Sequence, residues 1–290
     1  MPNGDNYTES EHFIPRMYFN GFSEIRKSKE KKTFICEYDL KSMNQIPVPV
    51  NVKSICAEDN LYELRGKDGS FITQNVIEKT FGKIEEKTSS VIKSIIEKSQ
   101  KEECLNCANI LSDDDKSYLI IFMTALKFRT PDIINDGIKF LKKTNSTISD
   151  RESRKFTLLN LLPLGADIEW DENTIIRTAI ERYSGMAFQI GVASDDLIIT
   201  SDRPIIEWAP FENELYNRPG GVAFPLTSRL VLYLCPFELC QPFQRNCFFK
   251  LNDEQIRDIQ TNVAIFAKRW IFSRNPLTEE QLTIIKKARS

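Results

Sequence analysis

The spacing of apolar residues changes along the chain, and it divides the sequence into β-rich, helical and again β-rich regions. In the first quarter, β-branched and aromatic residues occur in short runs at 33–38, 48–57 and 61–64, and a Gly-Lys-Asp-Gly turn follows at 66–69. Runs of this length between turn residues are typical of short strands. The pattern therefore predicts short antiparallel strands at the N-terminus.

From Asn75 onward the apolar residues recur at steps of three and four, which predicts a long amphipathic helix reaching about Lys101. Ser112 and Asp115 resemble a capping box that begins a second, almost wholly apolar helix. Pro131 ends that helix near residue 129, because proline disfavours helical geometry in the residue before it. Further helices are predicted at 132–143, 151–161 and 171–182.

In the last third the pattern returns to β. Residues 186–193 and 197–200 flank a Ser-Asp-Asp turn and are predicted to form a β-hairpin. Strands are also predicted at 222–225 and 229–235, and helical spacing of apolar residues predicts a closing helix over 253–273. The predicted fold class is α+β: N-terminal short antiparallel strands, a helical middle, and a C-terminal β-hairpin and strands with a closing helix.

The length of 290 residues is sufficient for a large core, and we predict one α+β domain over 11–274. Residues 1–10 are predicted to be disordered, and 275–290 to form a C-terminal tail with one short helix. No stretch of about 18 apolar residues occurs, and the polar opening lacks the order of a signal peptide. Seven cysteines, an odd number, favour a reducing compartment, so a cytoplasmic protein without a membrane partner is expected.

The charge balance argues against a global attraction to nucleic acid. Thirty-nine Lys and Arg against forty-one Asp and Glu give a formal net charge of −2. Nucleic acid is therefore a partner that the net charge does not support, although a local basic patch would still allow it.

Several short motifs occur in an order that resembles a known family. They are Glu11-His-Phe-Ile-Pro-Arg-Met-Tyr-Phe-Asn-Gly-Phe22, the pair Glu78 and Glu85, Phe128-Arg-Thr-Pro131, Ile199-Thr-Ser-Asp-Arg-Pro204, Pro225-Leu-Thr-Ser228 and Leu251-Asn252. Together they resemble the family called domain of unknown function 4238, over about residues 11–274. Arg16 and Arg203 depart from its pattern. The resemblance implies no particular reaction, because the family is defined by an unsettled function.

Few residues have side chains that are candidates for catalysis or metal binding. His12 is the only histidine, so any imidazole chemistry must use it as a general base or metal ligand; alternatively its ring fixes the N-terminal segment to the core. Glu78 and Glu85 lie seven residues apart and therefore on one helix face. They are predicted to bind a metal ion, His12 or Arg129, with helix-edge salt bridges as the alternative.

Asp202 and Arg129 are the other two candidates. Asp202 follows an apolar strand, where it could bind metal or orient His12; alternatively it accepts hydrogen bonds from nearby backbone N–H groups in a turn. Arg129 follows an apolar helix and could clamp a phosphate or carboxylate bidentately; alternatively it neutralises Glu78 or Asp202 in a buried network.

No P-loop, GxGxxG, GxSxG or HExxH motif occurs, which removes support for several large enzyme classes. The first hypothesis is a metal-dependent hydrolase, a nuclease or phosphoesterase using Mg²⁺ or Mn²⁺. In it, Glu78, Glu85 and Asp202 bind the metal, and His12 and Arg129 are catalytic. The alternative is a non-enzymatic binding or regulatory module with a structural polar network. Its protein partner would be contacted through Trp208, Phe211 and Tyr216.

Overall fold

A computed structural model describes residues 10–26, 32–70, 75–101, 103–161, 175–208, 211–212, 217–218 and 220–290. The helices are α1 (Arg16–Phe19), α2 (Val76–Ser99), α3 (Asp113–Phe128), α4 (Pro131–Thr144), α5 (Asp150–Leu159), α6 (Ile175–Ser184), α7 (Asp253–Phe266) and α8 (Glu279–Arg289). The strands are β1 (Ser10–His12), β2 (Glu24–Arg26), β3 (Lys32–Asp39), β4 (Asn44–Gln45), β5 (Val50–Asn51), β6 (Ala57–Asp59), β7 (Met186–Val192), β8 (Thr200–Ser201), β9 (Ile206–Trp208), β10 (Phe211–Glu212), β11 (Asn217–Arg218), β12 (Gly221–Pro225), β13 (Leu230–Pro236), β14 (Cys247–Lys250) and β15 (Trp270–Ser273).

The strands form two main sheets, and the α+β fold class is confirmed. The C-terminal sheet has the order β14-β7-β13-β12-β9, in which only the β14–β7 pair is parallel. The other sheet has the order β2-β3-β15-β8, and β4 and β5 also pair with β3. Two small antiparallel pairs, β1–β6 and β10–β11, complete the described strands. The N-terminal strands of the predicted fold therefore share a sheet with C-terminal ones.

The short helix α1 packs between the two sheets and so positions the N-terminal segment. Its Tyr18 stacks on Phe224 of β12 with ring centroids 5.3 Å apart. The neighbouring Phe19 meets Phe272 of β15 edge to face at 5.0 Å. All four rings are buried, so aromatic packing joins residues from both ends of the chain in one core.

The helical middle was predicted well where the structure describes it; residues 171–174 of the predicted helix 171–182 lie outside the described residues, and α6 covers Ile175–Ser184. Helix α2 buries the stripe that begins with Ile77 and Phe81, and it packs against α3. The capping box is confirmed: the Ser112 side chain accepts from the Asp115 backbone N–H, and the Asp115 carboxylate accepts from the Ser112 N–H. Helix α3 ends at Phe128, and Pro131 is the first residue of α4. Both helix ends follow from local sequence chemistry alone.

The predicted hairpin of 186–193 with 197–200 is wrong. Strand β7 lies inside the C-terminal sheet between β13 and β14, whereas β8 pairs with β15 in the other sheet. A central strand forms backbone hydrogen bonds along both of its edges, and for β7 the strands β13 and β14 supply the partners. The C-terminal hairpin of this fold is instead β12 with β13, at the predicted positions 222–225 and 229–235.

The predicted closing helix is too long. Helix α7 ends at Phe266, and Trp270–Ser273 forms strand β15 next to β3. Trp270 continues the helical spacing by coincidence, since the chain leaves helical geometry at Ala267, with φ −55° and ψ 138°. Helix α8 packs against α7 and buries Ile285. The closing element is therefore a helix, a strand and a second helix.

Two predicted strands near the N-terminus also differ from the structure. The run at 48–57 is divided into β5, a 3₁₀ turn at Val52–Ser54 and the start of β6. Residues 61–64 form no strand, although Leu61, Tyr62 and Leu64 are buried. The predicted disorder of 1–10 lies almost wholly outside the described residues. No helix among the described residues has the length and apolarity needed to span a membrane.

Candidate functional site

Arg129 fixes the N-terminal segment from inside the protein. It caps the C-terminus of α3, and its side chain is only 1% exposed. Its guanidinium donates to the backbone carbonyl of His12, to that of Phe13 at 2.9 Å and to Glu85 Oε1 at 2.8 Å. The side chain also lies over the ring of Phe81, 4.6 Å from its centroid. Arg129 is therefore a positioning residue, and its burial excludes contact with a substrate in this conformation.

His12 lies in a polar cleft beside this segment, which we call the His12 cleft. The cleft has a volume of about 390 Å³. The polar and charged residues lining it are His12, Arg16, Asn20, Thr33, Asn51, Lys53, Glu78 and Glu85. Three of the five predicted site residues, His12, Glu78 and Glu85, thus come together, and Arg129 supports them from behind.

The imidazole of His12 is held in one tautomer. Its Nε2 lies 3.2 Å from the carbonyl oxygen of Lys53, which can only accept a hydrogen bond. Nε2 therefore carries the proton, and Nδ1 of the neutral ring is left as an acceptor. Burial and the positive charges of Arg16 and Arg129 lower the pKa of His12, while its bond to the Lys53 carbonyl acts in the opposite direction. A neutral ring with a free acceptor is suited to general-base catalysis.

Glu78 and Glu85 share one face of α2, as their spacing predicted. Glu85 is paired with Arg129, whereas Glu78 Oε2 is buried and has no hydrogen-bond partner among the described residues. Burial is the main cause that raises the pKa of Glu78; Glu85 and Glu63 raise it further, and Arg129 and Arg16 lower it. Burial of this carboxylate is therefore compensated only in part by the two arginines.

Asp202 lies elsewhere, and this corrects the prediction that it joins Glu78 and Glu85. Its Oδ1 accepts from the Lys268 N–H at 2.8 Å, and its Oδ2 accepts from Arg269 at 2.8 Å and Trp270 at 3.2 Å. These bonds occupy both oxygens and fix the start of β15. Asp202 therefore accepts hydrogen bonds from backbone N–H groups, which was the alternative to metal binding.

No three His, Cys, Asp or Glu side chains among the described residues are arranged to hold a metal ion. The predicted site of Glu78, Glu85 and Asp202 is therefore not assembled, because Asp202 faces a different cleft. Only two of its three carboxylates share the His12 cleft.

Comparison with protein families agrees with the order of the motifs. The model of the family described as "Protein of unknown function (DUF4238)" matches residues 11–276. This chain belongs to the DUF4238 family. No curated protein and no solved structure matches it. In this DUF4238 protein, the opening motif, the two glutamates and the Arg-Thr-Pro helix end together build the His12 cleft and its support.

A second cleft of the DUF4238 protein was not foreseen from the sequence. It has a volume of about 640 Å³ and is lined by Glu37, Asp202, Lys268, Arg269 and Trp270, among others. We call it the Glu37 cleft. Burial and the nearby Asp39 raise the pKa of Glu37 to about 7, and Arg269 acts against them. Glu37 occurs within an ordinary strand pattern, so no sequence signal distinguished it.

Glu11 was also missed, although it begins the opening motif. Its side chain is fully buried, and Oε2 accepts from the Tyr62 N–H at 2.7 Å. Glu63 is held in a similar way by the Asn75 N–H at 2.7 Å. Burial raises the pKa of Glu11 to about 7; the Tyr62 bond lowers it, and the charges of Glu63 and Glu78 raise it. Its position next to the only histidine was the one feature of the sequence that could have identified Glu11 as a candidate.

The predicted partner surface is only partly within the described structure. Trp208 is half-buried and packs against the core, and its indole lies so close to Gly221 that a Cβ there would be 2.5 Å from the ring. Phe211 lies in β10, and Tyr216 lies outside the described residues. Trp208 thus serves packing within this DUF4238 protein.

Proposed function

We propose that this protein is a metal-assisted hydrolase of phosphate esters and that its reaction takes place in the His12 cleft. The observation that carries the proposal is the composition of that cleft. It combines a neutral imidazole of fixed tautomer with two carboxylates, Glu78 and Glu85, and two cations, Arg16 and Lys53. A base, an oxygen ligand set and positive charge are the parts that phosphoester hydrolysis requires.

The residues of the cleft take separate roles in this reaction. Nδ1 of His12 accepts a proton from the attacking water, whose oxygen forms a new bond to phosphorus. The ester P–O bond breaks, and the leaving oxygen takes its proton from solvent. Arg16 and Lys53 bind the phosphate and neutralise the charge that develops on its oxygens. Arg129 holds the backbone of His12 in place and does not touch the substrate.

Glu78 and Glu85 would hold Mg²⁺ or Mn²⁺ in this cleft. Mg²⁺ is commonly bound by one or two carboxylates together with substrate phosphate and water, so a third carboxylate is not needed. Glu78 Oε2 is buried and has no hydrogen-bond partner in the part of the chain that the structure describes, which supports this assignment. The ion would supply Lewis-acid stabilisation to the phosphoryl oxygens.

Calorimetric titration with MnCl₂ and MgCl₂ tests the metal assignment. We expect saturable binding to the unmodified protein and to Asp202→Asn, and its loss in Glu78→Gln. Asp202→Asn is the matched control, because it alters a carboxylate that lies in the Glu37 cleft. Equal binding to Glu78→Gln, or loss of binding only in Asp202→Asn, would contradict the assignment.

Hydrolysis of bis(p-nitrophenyl) phosphate with Mn²⁺ tests the reaction. We expect His12→Gln and Glu78→Gln to lose about 100-fold or more of the activity, the usual contribution of a general base or a metal ligand. Asp202→Asn should keep the activity of the unmodified protein at a temperature where it is folded. Absence of activity in the unmodified protein, or equal activity in His12→Gln, would refute the proposal.

A second candidate function, a non-enzymatic binding module, is favoured by a different surface. Phe237, Leu239 and Phe243 lie in two 3₁₀ turns between β13 and β14, with Phe243 75% exposed. Large exposed apolar side chains of this kind are typical of contacts with another protein. A partner that co-purifies with the unmodified protein and is lost in Phe243→Ser would support this function. Retention of the same partner by Phe243→Ser would argue against it.

A further inference from the structure

The His12 cleft adjoins a second cleft across the turn at Asn20. We call this second one the Arg229 cleft; it has a volume of about 540 Å³. The residues that line it and matter here are Asn20, Gly21, Asp196, Ser228, Arg229 and Arg274. Asn20 is exposed and lines both clefts, so the two are neighbours on either side of one turn.

The boundary between the clefts is rigid. The carbonyl of Gly21 accepts from the Ser228 N–H at 2.9 Å. A Cβ at position 21 would lie 2.5 Å from the Leu226 carbonyl oxygen. The two backbone segments therefore approach each other more closely than a residue with a side chain at position 21 would allow. The opening motif and the Pro-Leu-Thr-Ser motif therefore meet here and hold the two clefts in a fixed arrangement.

The Arg229 cleft contains two arginines and one carboxylate. Arg229 donates to the backbone carbonyls of Ala193 and Ser194, which are neutral, and no carboxylate among the described residues forms an ion pair with it. Arg274 is 40% exposed, and its Nε lies 3.5 Å from Asp196 Oδ2. Asp196 also accepts from the Ser228 hydroxyl at 2.5 Å. The cleft thus keeps a net positive charge, carried by side chains that bind phosphate in fork geometry.

Both clefts contain positive charge, although the carboxylates of Glu78 and Glu85 offset it in the His12 cleft. Arg16 and Lys53, both exposed, supply it in the His12 cleft, and Arg229 and Arg274 supply it in the Arg229 cleft. Arg16 and Asn20 are four residues apart, or about 6 Å along a helix at 1.5 Å per residue. A ligand with several phosphates in a row could contact both clefts at once, whereas a phosphate monoester would fill only one.

We propose that the substrate of the His12 cleft is a nucleic-acid strand whose neighbouring phosphates bind in the Arg229 cleft. The identification of this strand as a substrate rests on the proposed hydrolase function, but its binding does not. Arg229 and Arg274 contact the sugar-phosphate backbone away from the reacting bond, so they contribute affinity independent of base sequence. The local charge makes this interaction compatible with a chain whose net charge is −2.

Fluorescence anisotropy with labelled dodecanucleotides tests the proposal. The probes are single-stranded oligo(U) RNA and oligo(dT) DNA, and the full-length chain carries His12→Gln in all samples to prevent cleavage. In this background, Arg274→Gln should weaken binding by about three- to tenfold and reduce the salt slope by roughly 0.7 to 1, as expected for one lost phosphate contact. The preferred probe identifies the sugar, and tight binding of either strand supports the proposal.

Arg257→Gln is the matched control, since Arg257 is also a half-exposed arginine near a carboxylate, with Nη1 3.7 Å from Glu280. It should leave the affinity unchanged. Equal affinities for Arg274→Gln, Arg229→Gln and Arg257→Gln, or no binding of either strand, would overturn the proposal. Hydrolysis of bis(p-nitrophenyl) phosphate without oligonucleotide binding would refute only this inference, and strand binding without any hydrolysis would refute only the proposed reaction.

Discussion

The buried network around Arg129 and the open His12 cleft are neighbours, yet their charged side chains differ in burial and in hydrogen bonding. Behind the cleft, the Arg129 side chain is buried and donates hydrogen bonds to two backbone carbonyls and to Glu85. In the cleft, Arg16 and Lys53 are exposed, and Glu78 Oε2, although buried, has no hydrogen-bond partner among the described residues. Removal of one partner from a buried charge network destabilises the fold, whereas exposed charges can contact a ligand. This difference separates positioning residues from candidate catalytic ones.

The largest expected effect is that of Arg129→Met. The substitution leaves the His12 and Phe13 carbonyls and the Glu85 carboxylate without their donor, so we expect a loss of about 3–5 kcal/mol in the free energy of unfolding. Urea denaturation measures it. Arg151→Met, at an exposed position on α5, is the control and should change stability by less than about 0.5 kcal/mol. Comparable stabilities of the two variants would show that the buried network is not structural.

Asp202→Asn should have the next largest effect. Its amide has one acceptor oxygen where the carboxylate offers two, and its NH₂ group would face a backbone donor of residues 268–270. We expect a loss of about 1–3 kcal/mol from the unmatched donor, visible as a lower Tm. Unchanged thermal unfolding would mean that this cap is dispensable.

The effect of pH on stability, through each buried glutamate, should be smaller than the effects of these two substitutions. Glu11 has a pKa of about 7 in the folded protein, against an ordinary value of 4.5. Between these values the folded state binds more protons than the unfolded state, so stability falls as pH rises from about 4.5 to about 7. The slope cannot exceed about 1.4 kcal/mol per pH unit for one group.

Denaturant titrations at several pH values check this slope. Glu11→Gln keeps an oxygen that can accept from the Tyr62 N–H, and it should flatten the curve. Glu37→Gln, at the other group with a pKa of about 7, should flatten it independently. A curve that rises over this range, or one identical in both variants and the unmodified protein, would disprove the prediction.

The smallest effect on stability is expected for His12→Gln. The ring makes one hydrogen bond, to Lys53 at 3.2 Å, so its replacement should change the free energy of unfolding by less than about 1 kcal/mol. Thermal unfolding measured beside the activity assay provides the test. A loss as large as that of Arg129→Met would place His12 in the structural network rather than in the cleft.

The accuracy of the sequence predictions follows the range of the interactions involved. The ends of α3 depend on Ser112, Asp115 and Pro131, which lie in or next to the helix, and both were predicted correctly. The pairing of β7 and the strand at Trp270 depend on partners far along the chain, and there local spacing was misleading. Periodicity describes which faces are apolar, but it does not identify the neighbour that covers them.

The same distinction applies to the site. The shared face of Glu78 and Glu85 follows from helix geometry, and the uniqueness of His12 follows from counting. That Asp202 lies in the Glu37 cleft could not be predicted, because its partners are the backbone groups of residues 268–270. Arg16 and Lys53 were not recognised as neighbours because they belong to separate elements that meet only in the folded chain.

The long-range anchoring of the N-terminal segment has a consequence for biosynthesis. Arg129 is 117 residues from the carbonyl of His12 that it binds, and the hydroxyl of Tyr18 donates to Pro225, 207 residues away. The segment with the only histidine is thus translated before both of these partners, and the contact of Tyr18 cannot form until translation has passed residue 225. Contacts of such separation form late, after shorter loops have closed. A nascent chain that ends before β12 would therefore contain every residue that lines the His12 cleft, all of them between 12 and 85, but it would lack the anchor that Pro225 provides for Tyr18.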